Sequence, residues 1–307
     1  MYPRSLPFWR GPTAPQIFFG RDAELAQIID MITANVGSHP ARIAILGPGG
    51  YGKTTLARAV LTVNHIQDHF GDARYFVPCE SVTSSGALVT ELGKTLGVLE
   101  GGTDTLWPRI QVMLTSKDSI ICFDNFESPW DQNVETKHLV EEFLSRVTAL
   151  PRVTVLITMR GAERPAQTRW THPFLKSLET ISHDAARKIW QAISENYNDS
   201  SEKLIEAVDY VPLAVDLLSH LSQVTPPELL WEEWNCKQTK AIQTGQEHRL
   251  SNLEYSIQLS IDSGRMKTNQ AAKNLLGVLS LLPDGLHMKQ LSKFKGMFVD
   301  LDVTLCL

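Results

Sequence analysis

Short apolar runs alternate with amphipathic stretches over the first 180 residues of the chain. The runs are rich in β-branched residues and have the length of buried strands, while the stretches between them have helical spacing. The runs are RIAIL at 42–46, ARYFVPC at 73–79, SIICFD at 119–124, VTVLIT at 153–158 and LETI at 178–181. This alternation predicts an α/β fold with a parallel sheet.

Helical spacing replaces the strand pattern after His183, in stretches such as DAARKIWQAISENY and PLAVDLLSHLSQV. Before the first strand, residues 1–16 contain four prolines and little periodicity, which is typical of an extended leader. The pattern therefore predicts a leader over 1–16, a sheet domain over 17–180, a helical domain over 181–245 and an incomplete third unit over 246–307.

Charge and composition narrow the range of partners. The 29 basic and 34 acidic residues leave a net charge of −5, so we expect neither nucleic acid nor an anionic membrane as partner. No apolar run approaches the length of a membrane span, and the chain start lacks the apolar core of a signal peptide. The four cysteines are scattered without a CxxC pair, which disfavours a zinc site and a disulfide framework. These features predict a cytoplasmic protein.

The segment GPGGYGKT at 47–54 fits the phosphate-binding pattern G-x-x-x-x-G-K-[ST]. In this pattern the glycines let backbone N–H groups surround phosphates, the lysine reaches the β- and γ-phosphates, and the hydroxyl ligates Mg²⁺. A glycine-rich turn without a ligand is the alternative. The predicted nucleotide-binding residues are Gly47, Pro48, Gly49, Gly50, Tyr51, Gly52, Lys53, Thr54 and Thr55.

Two other strand ends carry candidate residues for the same site. Asp124 ends the run SIICFD, where a carboxylate can hold Mg²⁺ together with Thr54; an ordinary turn aspartate is the alternative. Arg160 follows the run VTVLIT, and its guanidinium can distinguish a triphosphate from a diphosphate. A surface arginine closing a loop is the alternative there.

The segments FFGRD, GPGGYGKTT, IICFDNFE, LITMR and YVPLA occur in the order and spacing of the NB-ARC module. From about Ile17 to Leu291 the chain resembles STAND-class signal-transduction ATPases, the nucleotide switches of NOD-like immune receptors. Its amino-acid sequence resembles those of fungal members. The resemblance implies a P-loop NTPase sheet of order 5-1-4-3-2, a helical bundle and a winged helix that bind ADP or ATP with Mg²⁺. Asp124 matches the family's first Walker B aspartate, and Arg160 matches the arginine of its TTR sensor motif.

The resemblance also implies contacts with the base and the sugar. Phe19, Gly20 and Arg21 match the segment that lines the adenine and ribose side of the family's pocket, and Pro212 matches the proline that packs on the adenine. Alternatives without a ligand remain. The segment around Phe19, Gly20 and Arg21 is also typical of a turn followed by a helix capped by Asp22. For Pro212, a proline in the first turn of a helix is common without a ligand.

The chain departs from the family at two points. Asn125 replaces the second Walker B acid, and an amide cannot take a proton, so we expect slow hydrolysis. Glu127 is the candidate to replace that acid as a base, with a solvated loop carboxylate as the alternative. The family's MHD motif is missing before the sequence stops at residue 307, so we expect a fragment or a minimal switch.

These observations favour a signalling switch in which ADP stabilises a closed form and exchange for ATP permits opening and assembly into a homo-oligomer. The downstream signalling partner would be another protein. A turnover ATPase of AAA+ type with Glu127 as base is one alternative. A degenerate module that binds nucleotide for structure alone is another.

Overall fold

The computed structural model describes residues 11–34, 40–98, 103–131, 134–243 and residue 257. The chain divides into two compact units, of which the first ends at Glu179 and the second begins at Thr180. Residues 11–16 of the predicted leader contain neither helix nor strand. Residues 1–10 of that leader, and the predicted winged-helix-like unit over 246–307 apart from residue 257, lie outside the described residues.

The first unit is built on four parallel strands flanked by helices. Its elements are α1 Asp22–Ala34, β1 Arg42–Leu46, α2 Lys53–Thr62, α3 Asn64–Phe70, β2 Arg74–Pro78, α4 Ser85–Leu96, α5 Thr103–Ser116, β3 Ser119–Asp124, α6 Glu127–Trp130, α7 Val134–Thr148 and β4 Val153–Met159. The strands lie in the order β1-β4-β3-β2, and every neighbouring pair is parallel. This order agrees with the predicted 5-1-4-3-2 over the four strands that both contain.

The predicted fifth strand, LETI, is not a regular strand. An extended segment lies beside β1 instead: the Thr171 N–H donates to the Arg42 carbonyl at 2.9 Å, and the Leu178 N–H donates to the Leu46 carbonyl at 2.7 Å. The interval from 171 to 178 is longer than that from 42 to 46, so a ladder cannot keep its register between the two bonds. The Thr171 hydroxyl also accepts the Arg42 N–H at 2.9 Å, which is a bond that a regular strand would make through its backbone.

Both faces of the sheet are covered, which explains why its strands are continuous apolar runs. Along β3, Ile121 and Phe123 pack into a cluster with α4, α5 and α7. The alternate residues Ile120 and Cys122 pack on the other face with α1, α2 and α3. All residues of β3 and β4 are buried. The central strands are therefore fixed by packing on two sides, and their ends are held rigidly.

The parallel arrangement brings the ends of three strands to one edge of the sheet. β1 leads into the glycine-rich loop, β3 ends at Asp124 and β4 ends at Met159, directly before Arg160. Residues that lie far apart in the sequence are thus neighbours at this edge.

The second unit contains the helices α8 His183–Ile193, α9 Asp199–Ala207, α10 Pro212–Ser222 and α11 Pro227–Gln243. Ser182 caps α8 by accepting the Ala185 N–H, and Asn198 forms a capping box at the start of α9. The buried Trp190 donates its indole N–H to the Asn196 carbonyl at 2.9 Å. Among the described residues, no helix of either unit combines the length and apolar character needed to cross a membrane.

Candidate functional site

The glycine-rich loop between β1 and α2 has a backbone that depends on glycine at three positions. Gly50 has φ 80° and Gly52 has φ 83°, which is the left-handed region that other residues avoid. At Gly47, φ is 153°, and a Cβ would lie 3.1 Å from the Leu178 carbonyl oxygen. Since the close neighbour is backbone, a larger residue at 47 would have to displace the chain. Among the described side chains none caps the start of α2, so its first N–H groups face the loop and can bind an anion.

Lys53, the first residue of α2, is buried with its ammonium over the loop. Its Nζ donates to the carbonyl of Gly47 at 2.9 Å and to that of Pro48 at 2.7 Å. Burial lowers the pKa of Lys53, the negative charge of Glu127 opposes that shift, and the positive charge of Arg160 adds to it. An ammonium has three donors, and the described residues occupy two of them, so one donor remains for a phosphate oxygen.

Asp124 is the centre of a hydrogen-bond network that joins three elements. The Thr54 hydroxyl of α2 donates to its carboxylate, 2.9 Å from Oδ1 and 3.1 Å from Oδ2. The Thr158 hydroxyl of β4 donates to Oδ1 at 2.6 Å and accepts the N–H of Asn125 at 2.9 Å. Asp124 is only 6% exposed, so this is a buried, oriented carboxylate. Thr158 is not among the site residues predicted from the sequence, where its signal is a hydroxyl at the buried end of β4.

Asn125 turns the chain after β3 and brings Glu127 back to the strand ends. Its φ is 55°, and asparagine tolerates this left-handed conformation better than most residues. The side chain of Glu127 is 13% exposed, and its Oε1 lies 3.3 Å from Nε of Arg160. Its Oε2 is buried and has no hydrogen-bond partner among the described residues. The alternative of a solvated loop carboxylate therefore does not fit Glu127, whose role as a base stays a prediction.

Arg160 lies beside the glycine-rich loop. Its Cζ is 3.8 Å from the position that a Cβ on Gly49 would occupy, and its side chain is 72% exposed. The structure thus brings Arg160, Glu127 and the loop together, as a phosphate sensor requires. A sensing role stays a prediction, because contact with a phosphate is the property that defines it.

Arg21 is a buried arginine that binds the backbone of the loop. Its NH2 group donates to the Tyr51 carbonyl at 3.1 Å and to the Glu179 carbonyl, and its NH1 group pairs with Glu24 at 2.9 Å. Gly20, with φ 76°, makes the turn before α1, and Phe19 is half-buried. The guanidinium therefore fixes the position of the loop, while adenine and ribose contacts of this segment stay predictions.

Pro212 belongs to the second unit, where it is the first residue of α10. Asp209 and Tyr210, which precede Val211 and Pro212, adopt φ values of 52° and 55°. Such positive values are uncommon for non-glycine residues. A proline at this helix position is favoured without any ligand, so its contact with adenine stays a prediction.

A phosphate-binding loop after β1, a carboxylate at the end of β3 and an arginine after β4 are the parts of a P-loop NTPase. A family model described as nSTAND1, Novel STAND NTPase 1, matches residues 9–205. The chain belongs to this family. The predicted membership among STAND NTPases is thus confirmed, over a range that contains the whole sheet and α8.

Two plant proteins are related to parts of this STAND NTPase. The disease resistance protein RGA2 of Solanum bulbocastanum is 42% identical over 60 residues, which are 19% of this chain and 6% of that protein. A putative disease resistance protein of Arabidopsis thaliana is 22% identical over 210 residues, which are 67% of this chain and 21% of that protein. The matches therefore cover only a minor part of each plant protein.

Two solved structures of ORC proteins bound to DNA are similar in fold. The Aeropyrum pernix Orc1 protein, in complex with DNA, has a TM-score of 0.55 at 15% identity, covering 89% of this chain and 74% of that chain. The Drosophila ORC bound to DNA has a TM-score of 0.53 at 11% identity, covering 86% and 65%. The similarity at these identities is one of fold, and it confirms the predicted α/β class of this STAND NTPase.

Substitution of Arg21 tests its hold on the loop. Arg21→Lys keeps the charge but loses the planar fork, so we expect a loss of about 1–3 kcal/mol in the free energy of unfolding and faster amide exchange across residues 47–53. Arg74→Lys is the matched control, because Arg74 is 7% exposed and bonds the main-chain carbonyls of Gly71 and Leu61 instead. Equal exchange across 47–53 in both variants would contradict this role of Arg21.

Proposed function

We propose that this STAND NTPase is an adenine-nucleotide switch that binds ADP or ATP with Mg²⁺ and hydrolyses ATP slowly or not at all. The proposal rests on one arrangement: the buried Asp124 carboxylate is bonded by Thr54 beside the lysine of the phosphate-binding loop, with Arg160 at the next strand end. Residues for the phosphates, the metal and the third phosphate are then all present at one edge of the sheet.

The donor set fits a magnesium nucleotide. Lys53 supplies a cation and a free donor over the loop, and the N-terminus of α2 supplies N–H groups for phosphate oxygens. Thr54 and Asp124 are hard oxygen ligands of the kind Mg²⁺ takes, directly or through water. The metal, when bound, neutralises charge that develops between the β- and γ-phosphates. Phe19, Gly20, Arg21 and Pro212 are proposed to face the base and the sugar.

Slow hydrolysis follows from the residues around Asp124. The side-chain amide of Asn125 cannot act as a base. The backbone N–H of Asn125 donates to the Thr158 hydroxyl. Glu127 could act as a base, but one of its oxygens is engaged by Arg160. The observed arrangement thus favours binding over turnover.

A signalling role is supported by the family and by the names of the plant relatives. Both plant proteins are called disease resistance proteins, and we propose that this chain acts in a comparable immune-type signalling pathway. In the ATP state it would open, assemble into a homo-oligomer and engage a signalling protein. No contact with nucleic acid is part of the proposal, since the chain carries a net charge of −5.

A turnover ATPase is the second candidate, and one observation favours it. Oε2 of Glu127 is a buried acceptor without a hydrogen-bond partner among the described residues, as expected of a carboxylate that orients an attacking water. In that case Glu127 would be the catalytic base.

Removing the loop lysine tests nucleotide binding. Lys53→Ala deletes the cation over the loop, so we expect calorimetric affinities for ADP and ATP to fall roughly 100-fold. Lys94→Ala is the control, because Lys94 is an exposed lysine of the same unit that pairs with Glu91 on α4. A Lys53→Ala protein that binds ADP within about threefold of wild type would remove the phosphate-binding role of the loop.

Removing the buried carboxylate tests the metal. Asp124→Ala should weaken ATP binding by roughly tenfold or more in Mg²⁺ and much less in excess EDTA, because the carboxylate acts through the metal. Asp118→Ala is the control. Asp118 directly precedes the first residue of β3, and its half-exposed carboxylate pairs with Arg152. Its removal should leave ATP affinity unchanged both in Mg²⁺ and in EDTA. Equal losses with and without Mg²⁺ would show that Asp124 only supports the fold.

A further inference from the structure

The two carboxylate oxygens of Glu127 have different surroundings. Oε1 lies 3.3 Å from Nε of Arg160, whereas Oε2 is shielded from solvent and lacks a hydrogen-bond partner among the described residues. The side chain as a whole is 13% exposed. Burying a carboxylate with one oxygen unsatisfied costs free energy, and the ion pair between Oε1 and Arg160 offsets part of that cost.

Arg160 lies between two binding partners. On one side is the carboxylate of Glu127, and on the other is the glycine-rich loop, with Cζ of Arg160 3.8 Å from the Cβ position of Gly49. The Arg160 side chain is 72% exposed, so little packing holds it in one place. A guanidinium in this position can bind either the carboxylate or a phosphate held by the loop.

The charges around the loop belong to one electrostatic group. Beside the lowering by burial, the pKa of Lys53 is raised by the negative charges of Glu127 and Asp124 and lowered by the positive charge of Arg160. An additional phosphate at the loop brings further negative charge close to Glu127, which is unfavourable unless a cation lies between them. Lys53 is held by the carbonyls of Gly47 and Pro48, whereas Arg160 is exposed and in reach of both the carboxylate and the loop, so the two anions compete for Arg160.

We infer that Glu127 is a selectivity-determining residue: it competes with the third phosphate for Arg160 and thereby lowers the preference of the site for ATP over ADP. This inference rests on the proposed function, because it assumes that the loop binds adenine nucleotides and that Arg160 contacts the third phosphate. It goes further in assigning the Glu127 side chain an effect on equilibrium binding that is separate from any role as a base.

A double-mutant cycle on the full chain measures this competition. The proteins are wild type, Glu127→Gln, Arg160→Gln and the double variant, and the measured quantity is the calorimetric affinity ratio of a non-hydrolysable ATP analogue to ADP in Mg²⁺. We expect Glu127→Gln to raise this ratio roughly five- to tenfold, with ADP affinity nearly unchanged, because the glutamine is neutral and releases the guanidinium. In the Arg160→Gln background the same substitution should change the ratio less than about twofold.

Glu91→Gln is the matched control, since it neutralises an acid that pairs with Lys94 on α4 of the same unit. It should leave the ratio unchanged. An equal rise from Glu127→Gln with and without Arg160 would overturn the inference, because it would show direct repulsion between Glu127 and the phosphates. An unchanged ratio in Glu127→Gln would overturn it as well.

Failure of the proposed function gives a different result. If the wild-type protein binds neither nucleotide, the proposed function itself is wrong, and the inference falls with it. If wild type prefers ATP but the cycle shows no coupling, the switch stands and only the competition is wrong. A pure base role for Glu127 predicts this second result, because a base changes the hydrolysis rate and not the equilibrium affinity ratio.

Discussion

The hydroxyl groups of Thr54 and Thr158 both donate to the buried carboxylate of Asp124, and the rest of the site depends on this contact. It ties the helix after the phosphate-binding loop to the ends of two neighbouring strands. Because both faces of the sheet are packed, those strand ends cannot shift independently of the core. A buried carboxylate without such donors would be costly, so the network fixes the position of the acid and links α2, β3 and β4 to one another.

Two basic side chains, Arg160 and Lys53, lie near Asp124 and differ in exposure. Arg160 is mostly exposed and pairs with Glu127 through a contact of 3.3 Å, whereas Lys53 is buried over the loop. In the proposed switch, Asp124 is the rigid acid for the metal and Arg160 the arginine that exchanges partners, a combination suited to distinguishing nucleotides. Arg21 adds a further constraint, since it bonds the loop at Tyr51 and the carbonyl of Glu179, the last residue of the first unit.

Much of this could be predicted from the sequence, because the signals are local. The glycine-rich loop and the strand with its terminal acid are each contiguous segments of the sequence, and a parallel sheet follows from the alternation of strands and helices. The bonds of Thr158 with Asp124 and of Arg21 with Glu179 could not be predicted, since their partners are 34 and 158 residues away. The burial of a side chain does not follow from its residue type either. From the sequence, Glu127 could therefore be interpreted as a base or as a solvated loop carboxylate. LETI is not a regular strand, because a pattern of only four residues does not distinguish a strand from an extended segment that packs without a ladder.

The proposed switch senses its nucleotide and hydrolyses it slowly or not at all. The most direct test is a single-turnover assay, in which excess protein is mixed with labelled ATP and Mg²⁺ and both the cleavage rate and the protein-bound fraction of ADP are followed. For a switch we expect cleavage well below about 1 per second, with the ADP remaining on the protein. Cleavage at several per second with prompt release of ADP would contradict it and identify a working ATPase.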